Sequence, residues 1–262
     1  IGSILCHYIL ERLSSREGAL PQRPVIIKTI VTTELQRAIA DSFGAAVIDV
    51  LTGFKYIGEQ IRLLEEAGGA EGEFVFGGEE SYGYLAGTHA RDKDAVVSSQ
   101  LIAEVAAWCA WHDKTMGDYL DDIFRRYGVY LESLRSLTRK GKKGSEEISA
   151  LMERFRECTP ESISGSRVVG CWDLATGEKV DLETETVEKT SLPSANVLVF
   201  YLDDKSKVTM RPSGTEPKIK FYFGVVGSCD EEKPLEEIKK ESFARLAKLE
   251  EDFMEMVERA LA

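Results

Sequence analysis

Three short apolar runs, Val25-Ile26-Ile27, Ala46 to Leu51 and Phe74-Val75-Phe76, alternate with segments whose apolar residues recur at helical spacing. Leu35, Ile39 and Phe43 fill the first interval, and Ile57, Ile61 and Leu64 fill the second. Strands that are apolar throughout must be covered on both faces. A strand–helix–strand alternation does this with parallel strands and right-handed crossovers. The expected fold class is therefore α/β, with a three-layer, mostly parallel sheet. Its strand-to-helix connections fall along one sheet edge: Lys28-Thr29, Thr52-Gly53-Phe54-Lys55 and Gly77-Gly78-Glu79-Glu80-Ser81. Ligands of open α/β sheets bind outside the carboxyl ends of the strands, so these polar connections mark a candidate site.

Around that frame, Ile4, Tyr8 and Ile9 predict an opening helix. Thr33 with Gln36 has the spacing of a capping box ahead of the next one. After the third run, Leu101, Ile102, Val105, Ala106 and Cys109 predict a long amphipathic helix whose pattern continues through Tyr119, Leu120 and Ile123 to Tyr127-Gly128. The pattern changes there. Val129 to Leu137, Val168-Val169, Val197 to Leu202, Lys207 to Arg211 and Lys218 to Val226 read as strands. Helical stripes run through Ile148, Leu151, Met152 and Phe155 and from Pro234 to Ala262, and the acidic stretch Asp173 to Lys189 reads as a solvated excursion. The expectation is a smaller α+β domain with a mostly antiparallel sheet, giving domains at residues 1–127 and 128–262. With 43% hydrophobic residues among 262, the chain can bury two modest cores.

Asp plus Glu total 45 against 33 for Lys plus Arg, a formal net charge of -12, so the field of the chain repels polyanions and anionic membrane surfaces. Neither nucleic acid nor membrane is an expected partner. No apolar run approaches the roughly 20 residues of a bilayer span, and the opening residues lack a signal-peptide pattern. The five cysteines are scattered without a C-x-x-C pair, which fits a reducing, cytoplasmic setting. Three histidines without H-E-x-x-H argue against a zinc hydrolase. The absence of G-x-x-x-x-G-K-[ST] and G-x-G-x-x-G argues against an ordinary nucleotide cradle, and no metal-ligand set stands out.

Two segments carry chemistry. In Arg211-Pro-Ser213-Gly214-Thr215-Glu-Pro217-Lys218-Ile-Lys220, a strand with alternating apolar residues presents Lys218 and Lys220 on one face and follows a loop with an Arg fork, two hydroxyls and a glycine. Such a set can wrap a phosphate dianion, although the spacing alone also fits an ordinary hairpin with a turn glycine. Glu79-Glu80-Ser81, at a strand end, can accept from the vicinal hydroxyl groups of a sugar, or form a solvated acidic turn. Arg91-Asp92-Lys93-Asp94 precedes the long helix, with Asp94 placed as its N-cap.

GGEESYGY at 77–84, RDKDA at 91–95, TGFKYIGE at 52–59 and RPSGTEPKIKFYF at 211–223 together resemble the α-D-phosphohexomutase family, nearest its phosphoglucomutase and phosphomannomutase members. The resemblance covers essentially the whole chain and corresponds to the carboxyl-terminal half of the family's four-domain architecture, its third and fourth domains. The family's first domain carries a T-A-S-H-N-P type loop with a phosphorylated serine, and its second carries D-G-D-x-D-R, which holds Mg²⁺. Neither string occurs here.

The resemblance implies a mutase that interconverts 1-phospho and 6-phospho hexoses through phosphoserine and a sugar 1,6-bisphosphate. Glucose is the first candidate and mannose the second. It implies an isomerase of carbohydrate metabolism, and this half alone is expected to be inactive without its amino-terminal half in cis. Thr52, Gly53, Glu79 and Ser81 correspond to substrate contacts, and Lys28 more loosely. Arg211, Ser213, Gly214 and Thr215 correspond to the loop for the non-reacting phosphate, beside Lys218 and Lys220, and Lys93 to a catalytic lysine near the reacting oxygen. Phe54-Lys55 stands where bacterial phosphomannomutases have a histidine, and Tyr82 follows the serine, which favours the glucomutase or pentomutase branch. A phosphopentomutase, a sugar-1,6-bisphosphate synthase and a non-catalytic sugar-phosphate-binding fragment are the alternatives.

Overall fold

The computed structural model describes residues 1–229 and 233–261 as two compact units, Ile1–Gly128 and Val129–Ala262. In the first unit the strands β1 (Pro24–Thr29), β2 (Ala46–Val50), β3 (Glu73–Glu79) and β4 (Gly83–Ala86) form one sheet in the order β2-β1-β3-β4. β1 is central, parallel to both β2 and β3, and buried along its whole length. β4 runs antiparallel to β3, so the sheet is mixed. The glycine-rich stretch expected as a loop is thus partly strand. Gly77, Gly78 and Glu79 end β3, and only Glu80, Ser81 and Tyr82 turn the hairpin, with Tyr82 left-handed at φ 63°. A three-residue hairpin loop normally ends on such a residue.

The helix α3 (Phe54–Glu66) covers one face through Val25, Ile27, Phe74 and Leu85. On the other face Phe76 stacks on Tyr84, against which Gly2 of α1 (Gly2–Ser14) packs, with α2 (Leu35–Ser42) beside α1. Phe74 and Phe76 share parity yet face opposite ways, because the β1–β3 register shifts between Val25 and Ile26. An irregularity of one residue inverts every later side chain.

Two helix expectations are corrected. The long helix is two, α4 (Ala95–Trp111) and α5 (Met116–Tyr127). Asp113 turns left-handed at φ 56°, and Thr115 starts a new helix with a reciprocal capping box to Asp118. The box expected at Thr33 and Gln36 does not close. Glu34 is the N-cap of α2 without a side-chain cap bond, Thr33 Oγ1 accepts from Leu35 N at 3.2 Å, and Gln36 is buried.

The second unit is an antiparallel sheet in the order β5 (Val129–Thr138), β12 (Lys218–Gly227), β11 (Lys207–Pro212), β10 (Leu198–Leu202), β7 (Ser166–Asp173), β8 (Glu178–Asp181), β9 (Thr186–Lys189), with β6 (Ser162–Ile163) paired to β7. The helices α6 (Gly141–Glu157) and α7 (Leu235–Leu261) pack on one face, where Phe253 meets the rings of Phe155, Phe200, Phe221 and Phe223. The acidic stretch after Asp173 is not a free excursion but the hairpin β8–β9, although all of β9 is exposed. The expected last residue of the final helix, Ala262, lies outside the described residues. Among the described residues no helix is long and apolar enough to cross a membrane.

Candidate active site

In the first unit, side chains tie the carboxyl ends of β1, β2 and β3 together. Glu79 is buried, and its Oε1 accepts the Gly53 N–H at 2.7 Å, which joins the end of β3 to the turn between β2 and α3. Gly53 has φ 119°, a region closed to side chains, so this turn needs glycine. Thr29 at the end of β1 donates from Oγ1 to Glu80 Oε2 at 3.3 Å and lies 2.9 Å from the Thr32 hydroxyl. Ser81 is exposed at the hairpin tip and Thr52 is half-buried next to Gly53.

Lys93 reaches this rim from the segment before α4. Its stem crosses Gly83 so closely that a Cβ there would lie 2.3 Å from Cδ and 2.7 Å from Cγ, while the same point is 3.6 Å from Glu79 Oε2. Lys93 and Glu79 therefore flank one glycine. The ammonium sits 2.9 Å from Asp92 Oδ1 and 5.2 Å from the centre of the Phe54 ring. The hydrogen bond from Lys93 holds the Asp92 carboxyl below its ordinary range. Asp94, as expected, caps α4 by accepting from the N–H groups of Val96 and Val97. The bond from His89 is the largest cause that keeps its carboxyl ionised to lower pH.

Lys28 is not presented to the rim. It is wholly buried, with its ammonium 2.9 Å from Asp49 Oδ1, 3.1 Å from Glu34 Oε1 and 3.4 Å from the Thr32 carbonyl. Asp49 is its register neighbour on β2, and Arg37 bridges Asp49 and Glu34 from α2. An ammonium out of water needs such partners. Lys28 thus neutralises an internal cluster beneath Thr29 and Thr32.

In the second unit, Arg211 near the end of β11 lies directly across from Lys220 on β12, and Lys218 is two residues along on the same face. Like charges placed directly opposite each other across strands are destabilising. None of the three has an ion-pair partner among the described residues. Arg211 Nη1 lies 3.5 Å from the Tyr222 hydroxyl. The loop between is closed by Ser213 N to the Lys218 carbonyl and Lys218 N to the Glu216 carbonyl, both 2.7 Å. Ser213 and Thr215 place their hydroxyls 3.5 Å apart. Gly214 is exposed with nothing within 4 Å of its Cβ position, so its backbone is open to a ligand. Cations, hydroxyls and open backbone around one loop form a receptor for a dianion.

The sequence singled out Glu79, Ser81, Lys93 and the loop after Arg211, and placed Thr29, Phe54 and Glu80 in the candidate connections, but it did not foresee Lys93 crossing Gly83 toward Phe54 or the Thr29–Glu80 link. A glycine two residues after the hairpin serine was the available signal for the first. Among the described residues no three His, Cys, Asp or Glu side chains are arranged to hold a metal ion.

Residues 1–127 match the family model "Phosphoglucomutase/phosphomannomutase, alpha/beta/alpha domain III". The chain is 39% identical over 230 residues to a phosphoglucomutase of Staphylococcus epidermidis, covering 88% of this chain and 40% of that enzyme. It is 37% identical over 225 residues to that of Staphylococcus haemolyticus, covering 86% and 39%. The chain thus spans about 40% of the length of the curated relatives it matches. Its fold is similar to the open form of the Paramecium phosphoprotein pp63/parafusin, with TM-score 0.60 at 17% identity over 95% of this chain and 40% of that one. It is also similar to a phosphoglucomutase/phosphomannomutase family protein of Burkholderia thailandensis, with TM-score 0.53 at 16% identity over 99% and 41%.

Proposed function

This chain belongs to the phosphoglucomutase/phosphomannomutase family, and from that premise we propose that its two units carry the sugar-recognising and phosphate-recognising parts of a hexose-phosphate mutase. The observation that carries the reading is the like-charged set Arg211, Lys218 and Lys220 around an open loop, without carboxylate partners among the described residues, in a chain of net charge -12. Three cations kept together without counter-ions call for an external anion.

In this reading Arg211 and the lysines hold the substrate's non-reacting phosphate, with Ser213, Thr215 and the backbone at Gly214 supplying directed hydrogen bonds. Glu79, with one oxygen fixed by Gly53, offers the other to sugar hydroxyls, and Ser81 adds a second contact. Lys93 balances charge at the oxygen that gains or loses the phosphoryl group. A mutase must hold its sugar phosphate in either orientation, and a charged loop tolerates both ends while the hydroxyl contacts hold the ring. Phosphoryl transfer rests mainly on such positioning and electrostatic stabilisation. The phosphoserine, the Mg²⁺ loop and the sugar 1,6-bisphosphate intermediate belong to the same reading. Both loops are assigned to parts of a longer polypeptide that this sequence does not contain, and no step above runs through the metal. A cytoplasmic setting goes with this substrate.

Calorimetric titration with glucose 6-phosphate and with glucose tests the division of labour. Arg211→Ala should weaken the phosphate ester at least about ten-fold, the scale of a lost charge-assisted contact, and leave glucose unaffected. Glu79→Ala should weaken both. Unchanged affinity for glucose 6-phosphate in Arg211→Ala would remove the assignment.

A further inference from the structure

The cations around the phosphate loop do not stop at the loop. After its last pairing, Thr138 opposite Lys218, β5 runs into the connection to α6, where four of the five residues from Arg139 to Lys143 are basic. Arg139 N donates to the Pro217 carbonyl at 2.9 Å, so this connection lies flush against the loop. It is also fixed in place. A Cβ on Gly144 would lie 2.6 Å and 2.8 Å from the carbonyl carbon and oxygen of Arg139, so the chain turns there with no space to spare.

Register decides which of these side chains joins the loop. Ser136 lies opposite Lys220 and Thr138 opposite Lys218, so both share the face of β12 that carries the lysines. Lys140 is extended, at φ -87° and ψ 139°, and is the next position of that parity. Arg139, of opposite parity, turns to Glu147 on α6 at 3.7 Å, and Lys142 and Lys143 reach Glu146 and Glu147 at 3.6 Å and 3.8 Å. Lys140 is exposed and has no ion-pair partner among the described residues. The exposed Glu216 of the loop pairs with none of these cations.

Arg211, Lys220, Lys218 and Lys140 thus form one unneutralised row. From the level of Ser136 to Lys140 it spans four residues, about 13 Å, which is wider than a single phosphate group. The row is also bounded: Glu146 and Glu147 follow on α6, and Glu132 lies at the second like-facing position before Ser136. A long polyanion would run onto these carboxylates in a chain of net charge -12, whereas two linked phosphates fit between them. We propose that the loop and Lys140 form one elongated site for a diphosphate ester, with one phosphate in the loop at Arg211 and the next at Lys218 and Lys140. The inference rests on the reading of the loop as a phosphate site and adds a second anionic subsite to it.

Calorimetric titration of this 262-residue chain with AMP, ADP and glucose 6-phosphate in magnesium-free buffer tests it. ADP should bind at least about ten-fold more tightly than AMP, the scale of one added charge-assisted contact. Lys140→Ala should abolish that advantage and leave AMP and glucose 6-phosphate unchanged, whereas Lys140→Arg should keep it. Lys189→Ala on β9, a control for overall charge, should alter nothing. Several results would overturn the proposal: no ADP binding up to about 1 mM, equal affinity for ADP and AMP, an advantage that survives Lys140→Ala, or one that Lys189→Ala removes as well. If glucose 6-phosphate still depended on Arg211 in those cases, the phosphate reading of the loop would stand without the second subsite. If Arg211→Ala left all three affinities unchanged, the loop reading and this inference would fall together.

Discussion

Replacing Gly83 by alanine separates the geometry of the sugar site from the stability of the fold. The new Cβ would lie 2.3 Å and 2.7 Å from two carbons of the Lys93 stem, well inside the roughly 3.5–4.0 Å at which carbon atoms rest. Gly83 does not occupy a left-handed conformation, so the backbone accepts alanine and the strain falls on the lysine. Lys93 is about half exposed and can leave. The fold then loses a rotamer preference of about 0.5–1.5 kcal/mol at most, together with weak exposed contacts to Asp92 and Phe54 worth below about 1 kcal/mol each. The site loses its ammonium, and a hydrogen bond to a charged group is worth about 1.5–3 kcal/mol, or roughly ten- to hundred-fold in affinity. The assay is calorimetric titration of glucose 1,6-bisphosphate into the wild-type chain, Gly83→Ala, Lys93→Ala and the double variant. The two single variants should lose affinity alike, and the double variant should lose no more than either, because both remove one group. Wild-type affinity in Gly83→Ala, additive losses in the double variant, or destabilisation above about 3 kcal/mol would refute the reasoning.

Two further outcomes test other parts of the molecule. Phe253 is fully buried at the centre of four rings, and Phe253→Ala should destabilise the second unit by about 3–5 kcal/mol in denaturant unfolding, while the first unit keeps its own midpoint. His7 is buried with its Nδ1 2.7 Å from the Tyr119 hydroxyl, and burial pushes its pKa below the ordinary 6.5, with Arg126 adding to the shift against Glu11. The unfolded chain therefore binds this proton first, and the stability of the first unit is retained above pH 6.5 and falls as pH drops below it. The melting temperature of the wild-type chain should accordingly drop more steeply between about pH 7.5 and about pH 5.5 than that of His7→Gln, and parallel curves would rule out this histidine as the cause.

The apolar runs at Val25, Ala46 and Phe74 were legible because a buried central strand leaves no room for polar side chains. The strands that carried no such run were not. β4 begins with Gly83 and gains its place from pairing with β3, while β8 and β9 are polar and mostly exposed, so neither period nor hydrophobicity betrays them. The break between α4 and α5 rests on the left-handed Asp113 and the Thr115 cap, local signals that a continuing apolar pattern overrode. In the site, Glu79 and Lys93 were visible as residues, but their adjacency was not. It depends on a hairpin glycine meeting a stem from ten residues downstream.

Lys28 and Arg211 show why residue type alone does not assign a role. Both are cations at or near the end of a strand, and both stood among the expected ligand contacts. Lys28 lies opposite Asp49 in register and within reach of Glu34, so its charge is spent inside the fold. Arg211 lies opposite Lys220, so its charge is reinforced rather than cancelled. The surrounding negative charge does not erase that difference. Exposed charges farther away than a Debye length, about 8 Å at physiological salt, are largely screened, whereas an anion at the loop feels the nearest cations directly. What marks an anion site in an acidic chain is therefore the sign of the cross-strand neighbour, a property of register, which the alternation of Ile219, Phe221 and Phe223 fixes by committing the opposite face of β12 to the core.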